Sequence, residues 1–583
     1  MSSKRVLLMM CVVATVVASM VLSACAPPTP QVVEKEVVVE KPVVETVVVE
    51  KEVVVEKLVV ETVVVEKVVT PTPRPEEVTP QPKKGGKLTV AIQSDFPSFD
   101  PDVAVSYEDW IVCNQMYNAL YQFDKDGNMY PDLAADFPTI SEDGLVYIIP
   151  IKQGVNFHDG SELTAEDVKY SLERTLIPEV KSWGPRFMAN VLGAQDVLDG
   201  KTTDLKGVEV LDKYTVKITL QTPQAVFISN LVVGPSLIVP KEYVEKVGLE
   251  EFSWRPVGTG PYKFVEYIPG QRLTLAANYD FYGERGPYIE TIEHLIGIDP
   301  SLAVLKLEAG EIDAMFDDIP PAEFVSMTTE DRWKDYVTSG TVYYTGWVGM
   351  NTRMEPFTDK RVRQAVAMAI NRERLVKLAQ GTIVPAKSLL PPGTAGYNPD
   401  VGWDYDLVRA KELLAEAGYP DGFTTELYAR ETPILQIIAQ AVQQDLSLIG
   451  ITVEIRTVAT AAWYGLTGEG KVPMGVTGKG ANYPDPFDWF SFCMCVQAYE
   501  GTRYPAWYCN PELDGLVEEA ETLAAYPEER IAKYQEAENI LIEDSPRAFL
   551  YYGKKYVAHS PDLKGFYIHP IYWFWWSDYW LDR

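Results

Sequence analysis

Histidine is scarce: only His158, His294, His559 and His569 occur in 583 residues, and no two sit at metal-ligand spacing. A zinc or iron centre built on imidazole has almost no raw material, and no metal is expected. Basic charge is also short. Lys and Arg total 52 against 83 Asp and Glu, a formal net charge of −31. No stretch is basic enough to track a phosphate backbone, which excludes a nucleic-acid partner. The chain contains no G-x-x-x-x-G-K-[ST], no H-E-x-x-H and no G-x-S-x-G, and Gly258-Thr259-Gly260 lacks the strand-to-helix context of a phosphate cradle. In so acidic a chain, Asp317-Asp318 and Glu518-Glu519 read as solvated faces rather than acid/base pairs. With no nucleophile and base arrangement in view, the chain reads as a binder that needs no cofactor, not as an enzyme.

Thirteen Trp and 33 Tyr are plentiful by contrast, which suits either stacking surfaces or aromatic cores. The length allows two or three packed domains. At the N-terminus, Lys4 and Arg5 precede an apolar run from Val6 to Leu22, followed by Leu22-Ser23-Ala24-Cys25. This resembles the lipobox of bacterial lipoproteins, which implies a signal peptide over 1–24 and an acylated Cys25 as first residue of the mature chain. The rival, an uncleaved anchor, needs a longer run to span a bilayer. Loss of Lys4 and Arg5 takes the net charge from −31 to −33.

Residues 25–85 form a low-complexity tether. The nonapeptide at 43–51 recurs at 59–67, and Thr70-Pro71-Thr72-Pro73-Arg74-Pro75 then stiffens the chain. Valine favours extended backbone while the Glu and Lys spacing allows helical pairs, so its conformation stays open. As a flexible coil it separates lipid from globular part by about 40–50 Å. A coiled-coil oligomerisation stalk is the alternative, against which the repeat keeps no steady heptad.

From Gly86 onward strands and amphipathic helices alternate. Lys87–Ile92 and Thr215–Leu220 read as strands. Asp359–Ile370 places Val362, Ala365, Val366 and Ala369 on one helical stripe, Asp406–Ala417 ends at Gly418, and Ile434–Leu448 and Arg530–Ile542 follow the same rule. Such intermixing implies α/β layers split into lobes.

Several blocks resemble the peptide- and nickel-type solute-binding proteins of ABC importers, bacterial solute-binding protein family five. They include Pro97-Ser98-Phe99-Asp100-Pro101, Tyr117-Asn118-Ala119-Leu120-Tyr121, Pro131-Asp132-Leu133-Ala134 and Phe157-His158-Asp159-Gly160-Ser161. Further along come Gly258-Thr259-Gly260-Pro261-Tyr262, Met350-Asn351-Thr352, Arg361-Val362-Arg363-Gln364-Ala365 and Tyr483-Pro484-Asp485-Pro486. The resemblance implies an α/β fold of the periplasmic-binding-protein-like class II, two lobes with a hinge plus an inserted domain. Lobe I takes 86–131, 254–346 and 553–583, the insert 132–253, and lobe II 347–552. Hinges fall near Tyr344–Gly349 and Leu550–Lys554. Thr164 is expected to cap a helix with Asp167 closing a capping box, and His158 to serve as a loop hydrogen-bonder rather than a ligand group.

The resemblance further implies a monomeric receptor, lipid-anchored on the outer face of the cytoplasmic membrane, that gives a small solute to ABC permease subunits. In peptide-binding relatives an Asp in an Ala-Asp-Tyr triplet takes the ligand's α-amino group. Here the triplet is Ala481-Asn482-Tyr483, and Asn cannot neutralise an ammonium. Asp485 could substitute. Alternatively Asn482 bonds sugar hydroxyls while Trp463, Trp489 or Trp347 stacks on a pyranose face, and Tyr483 is a ligand-binding candidate on either reading. Arg430 lies near the carboxylate-binding Arg of dipeptide-binding relatives. Of the cysteines outside the signal and Cys25, relatives favour a Cys495–Cys509 disulfide, with Cys493 as rival partner and a Cys493-Cys495-Cys509 metal site as a further alternative. A carbohydrate-active hydrolase with two cleft carboxylates is the competing class, and a surface interaction protein dominated by its stalk is a third.

Overall fold

The computed structural model describes residues 42–45, 57–60, 81–104, 106–284, 286–498, 506–524, 527–571 and 574–583. The chain divides into two compact units, 1–80 and 81–583. In the first, Pro42–Glu45 and Lys57–Val60 pair antiparallel with Pro42 opposite Val60, the extended choice that β-branched valine favours. The signal segment, Cys25 and most of the tether lie outside the described residues.

The second unit holds three main sheets. A first body is built on five strands in the order Tyr262–Ile268, Arg272–Ala277, Thr291–Ile296, Lys87–Ile92, Ala314–Met315. Lys87–Ile92 runs parallel to both of its neighbours and is buried from Leu88 to Ile92, as a strand covered on both faces must be. An insert carries four antiparallel strands, Thr139–Ile140, Val146–Pro150, Thr215–Thr219 and Val208–Asp212. Within it Val216 and Ile218 face inward at period two, the alternation expected of a sheet with one solvated face. A second body has six strands in the order Ile383–Pro385, Arg547–Ala558, Val337–Met350, Met474–Gly480, Thr424–Arg430, Thr452–Val458.

The helices follow their sequence signals. Lys360–Ala369 buries Val362, Ala365, Val366 and Ala369, and the Asp359 carboxylate accepts from the Arg361 N–H at 2.8 Å. Leu407–Glu416 is capped by Asp406 and followed by Gly418 at φ +93°. Pro433–Ser447 and Pro527–Asp544 are the other two. Ahead of Ala165–Arg174, the Asp167 carboxylate accepts from the Thr164 backbone N–H at 2.9 Å, closing a capping box.

Val337–Met350 and Arg547–Ala558 run through both bodies. Their ladder pairs Val337 with Ala558 down to Thr341 with Lys554, breaks, and resumes from Thr345 with Tyr552 to Gly349 with Arg547. At the break Val342, Tyr343 and Tyr344 oppose Gly553 alone. A Cβ on Gly553 would stand 2.8 Å from Tyr344 Cβ and 2.9 Å from Val342 Cγ2, so glycine lets the two strands approach there.

The insert is fastened to the first body by a dry ion cluster. Arg174, at the end of the insert's Ala165–Arg174 helix, bonds both Asp100 oxygens at 2.9 and 2.7 Å and Asp102 at 2.9 Å, all three side chains at most 3% exposed. His158 adds a second tie: its backbone N–H donates to Gly258 O at 2.8 Å, and its ring accepts from Gly258 N–H and donates to Gly260 O. Burial holds His158 down at about 4, so this imidazole is neutral. Gly258 passes so close to Met116 O that a Cβ would lie 2.2 Å from it.

Two outcomes are expected. Gly553→Val should destabilise by about 1–3 kcal/mol through overpacking at the strand crossing, read as a lowered urea midpoint at constant slope. Glu538, fully buried, accepts from the Leu389 and Leu390 N–H groups, and burial pushes its carboxyl up to about 7 from 4.5. A raised acid is a contribution present below the unfolded value and lost as pH rises through the folded one. Stability should therefore fall between pH 4.5 and 7 by up to about 3 kcal/mol from this group. Glu538→Gln should flatten that slope in urea melts; an unchanged slope would show the carboxyl already ionised.

Candidate functional site

The parallel strands of the first body end on one side, at Ile92, Ile296 and Met315, and the loops that follow carry Gln93, Asp299 to Ser301 and Asp317 to Pro321. These loops share a cavity of about 770 Å³ with the end of Thr424–Arg430 in the second body. Clefts outside the carboxyl ends of parallel strands are where open α/β sheets take ligands, and the volume is in the small-ligand range. Its floor is the crossing strands: Val342, Tyr344, Tyr551 and Gly553 to Tyr556 all line it. The rings of Tyr344 and Tyr551 stack there at 5.9 Å.

The two walls differ in charge. On the first body's side stand Glu108, Asp317 and Asp318. Asp317 Oδ2 accepts from the Gln93 N–H at 2.7 Å, and burial raises its carboxyl, with Glu108 and Asp318 pushing the same way. Lys555, buried, reaches Asp318 at 2.6 Å, where that carboxylate is 79% exposed. On the second body's side stand Arg430 and the start of the 15-residue helix Pro433–Ser447, whose macrodipole is positive at this end. No carboxylate lies within ion-pair distance of Arg430 among the described residues, and its buried Nε has no hydrogen-bond partner. A ligand with one anionic and one cationic end matches this polarity.

The Asn482 block is built separately, after the strand Met474–Gly480. Asp488 Oδ2 accepts from Lys479 Nζ at 2.6 Å and the Asn482 N–H at 2.7 Å, and Oδ1 accepts from Asn482 Nδ2 at 2.7 Å. Burial lowers the Lys479 ammonium to about 8 against the pull of Asp488. Asp485 caps Pro486–Phe490 and is held by Arg530 in two bonds of 2.7 and 2.8 Å. Tyr483 is buried in the insert's core.

Of the residues singled out from sequence, Arg430 lines the cavity. Asn482, Tyr483, Asp485, Trp489, Trp463 and Trp347 do not. Trp347 and Trp489 share one apolar core, and all three tryptophans are at most 1% exposed. Asp485 is already committed to Arg530, and Asn482 gives its amide hydrogens to Asp488. Cys495 and Cys509 are joined in a disulfide; Cys113 and Cys493 are free and buried. The disulfide takes two of the three sulfurs of the alternative metal site, and no metal-holding group of His, Cys, Asp and Glu occurs among the described residues. Glu108 and Asp317 were not picked out as site residues; Asp317, read as a solvated face, is turned partly inward. Lys554-Lys555 interrupting an apolar strand was the one local signal that pointed here.

Residues 128–496 match the family model described as bacterial extracellular solute-binding proteins, family 5 Middle. The chain is 32% identical over 493 residues to the glutathione-binding protein GsiB of Salmonella typhi, covering 83% of this chain and 92% of that one. Among solved structures it is similar to the ABC transporter-associated periplasmic binding protein DppA from Helicobacter pylori in complex with peptide STSA. The TM-score there is 0.75 and the identity 27%, over 86% of this chain and 99% of that one. The oligopeptide-binding protein AppA from Bacillus subtilis in complex with a nonapeptide gives 0.71 and 26%, over 86% and 100%. The α/β architecture is that of the class II periplasmic binding proteins, and the relatives are binding proteins, so the hydrolase alternative falls.

Asp488→Asn should leave Lys479 buried without a counter-charge and destabilise by about 3–5 kcal/mol. Adding Lys479→Met should restore most of that loss in urea melts. A single variant within 1 kcal/mol of wild type, on the order of ordinary surface changes, would mean the pair is not desolvated.

Proposed function

Because the chain belongs to the bacterial extracellular solute-binding proteins of family 5, we propose that it captures a peptide-type solute between its first and second bodies and gives it to the permease subunits of an ABC importer. The observation that carries this reading is Arg430, which faces an acidic wall across the cavity and, among the described residues, has no carboxylate within ion-pair distance. A peptide carboxylate would sit on Arg430 and the helix end behind it, and its ammonium toward Asp317 and Glu108. Each end of the ligand then belongs to a different body, so binding favours the closed arrangement. A shift from mostly open to mostly closed takes roughly 5 kcal/mol of preference for the closed state. Lipid at Cys25 would keep the receptor beside its permease, and one copy suffices for the cycle. The names of the relatives, a glutathione-binding protein and two peptide complexes, support a peptide-type ligand. The oligosaccharide alternative relies on Trp347, Trp463 and Trp489 offering a ring face, and their burial supports it less.

Thermal-shift titration with glutathione, short peptides and oligosaccharides tests the class. A rise of several degrees with peptides only is expected; a rise with oligosaccharides only would overturn the reading. Arg430→Gln should weaken a free-carboxylate peptide about 10- to 100-fold, the range of a charge-assisted bond, and leave its C-terminal amide unchanged.

A further inference from the structure

A spacer needs only length, but the valine-rich repeat also carries a pairing rule. Residues 31–46 and 47–62 are the same sequence except for Gln31 against Val47 and Pro42 against Leu58. Pro42–Glu45 therefore corresponds in the repeat to residues 58–61, and Lys57–Val60 to residues 41–44. The two strands pair antiparallel with Pro42 opposite Val60, Val43 opposite Val59, Val44 opposite Leu58 and Glu45 opposite Lys57. Val43 and Val59 are repeat equivalents, so the chain pairs one copy of its repeat with the next, centred on the same valine, with glutamate across from lysine. A stretch that pairs in this way with its own copy is self-complementary. Reversed about its central valine, Lys-Leu-Val-Val-Glu at 57–61 faces itself with unlike charges at both ends.

That pairing leaves edges over. The sheet is two-stranded, and among the described residues no third strand bonds to either member. Two four-residue strands are marginal alone in water, and three or more are needed for a lasting sheet. The two strands are not equal as edges. Pro42 has no N–H to donate and suits an outside edge, whereas Leu58 stands at its place in the other strand, so Lys57–Val60 keeps every backbone donor. Within a chain of net charge −31, residues 57–61 are themselves neutral, one lysine to one glutamate, so copies can approach here.

We propose that Lys57–Val60 is a docking edge for a second copy of this chain. The two Lys57–Val60 strands pair antiparallel about Val59, giving a four-stranded sheet with the Pro42–Glu45 strands outside. So few residue pairs do not hold in dilute solution; they need the high local concentration that chains fixed to one surface give each other. Each copy keeps its own cleft, so the pairing neither rests on the solute-binding reading nor alters it.

The test uses residues 25–583 with Cys25→Ser and an N-terminal histidine tag, held on phosphatidylcholine vesicles through a nickel-chelating lipid, so that acylation is not needed. The cysteines left in the described residues are the Cys495–Cys509 disulfide and two buried thiols. Opposed residues of an antiparallel pair lie about 4.5–5.5 Å apart, within disulfide reach. Under mild oxidation Val59→Cys should give covalent dimers. Leu58→Cys mixed with Val60→Cys should exceed either alone by about threefold or more, because like positions in that register sit two residues apart. Adding Leu58→Pro to Val59→Cys gives this strand the proline of the other and should cut the dimer yield about fivefold or more.

Equal yields for the three single cysteines and the mixture, or a yield that ignores Leu58→Pro, would mean random collision on the vesicle and overturn the docking edge. A helical circular-dichroism signal that grows with surface density, with Val59→Cys cross-linking at background, would put a coiled coil in its place. Failure of every solute to bind would leave these yields unchanged, and loss of cross-linking would leave the Arg430→Gln titrations unchanged, so the two readings fail separately.

Discussion

Everything in the second unit depends on one ladder, the antiparallel pairing of Val337–Met350 with Arg547–Ala558. Two paired strands hold the first and second bodies together; they are interrupted most widely where three residues oppose Gly553, and again by one extra residue, Leu550, between the Gly346–Tyr551 and Trp347–Phe549 pairs. A continuous ladder would resist bending through its hydrogen bonds; a local break concentrates deformation at a few dihedrals. The same stretch lines the cavity floor with Tyr344 and Tyr551, so flexure at the crossing and occupation of the cleft act on shared atoms.

Charge is distributed with the same economy. The chain is strongly acidic, yet its cavity sets a guanidinium that has no carboxylate in ion-pair range among the described residues against an acidic wall, and several other buried charges are matched: Arg174 with Asp100 and Asp102, Lys479 with Asp488, Arg530 with Asp485 and Glu521. Buried pairs of this kind contribute little net stability but make misaligned packing expensive, which suits positions where one body must meet another in a single way.

Local signals made much of the fold legible. Period-two alternation marked Thr215–Thr219, helical stripes marked Lys360–Ala369, and Asp406 with Gly418 marked both ends of Leu407–Glu416, because these depend on neighbours in the chain. The cavity was harder. Glu108, Asp317, Arg430 and Lys555 come from four distant stretches and converge only through sheet order, which no local window contains. Tryptophan misled for a related reason: a large ring is equally at home stacking on a ligand or filling a core, and burial decides which. At Asp485 and Asn482 the residue types were informative, but their partners, Arg530 and Asp488, were set by tertiary contact.

The first body's core draws its side chains from both extremes of the second unit: Leu88 and Val90 near its start, and Leu563, Phe574, Trp576, Tyr579 and Leu581 near its end. During export the chain emerges in order, so the insert and the six-stranded body can each find their own partners while this core still waits for its last aromatic residues. Until that stretch is in place, the five-stranded sheet lacks part of its apolar cover.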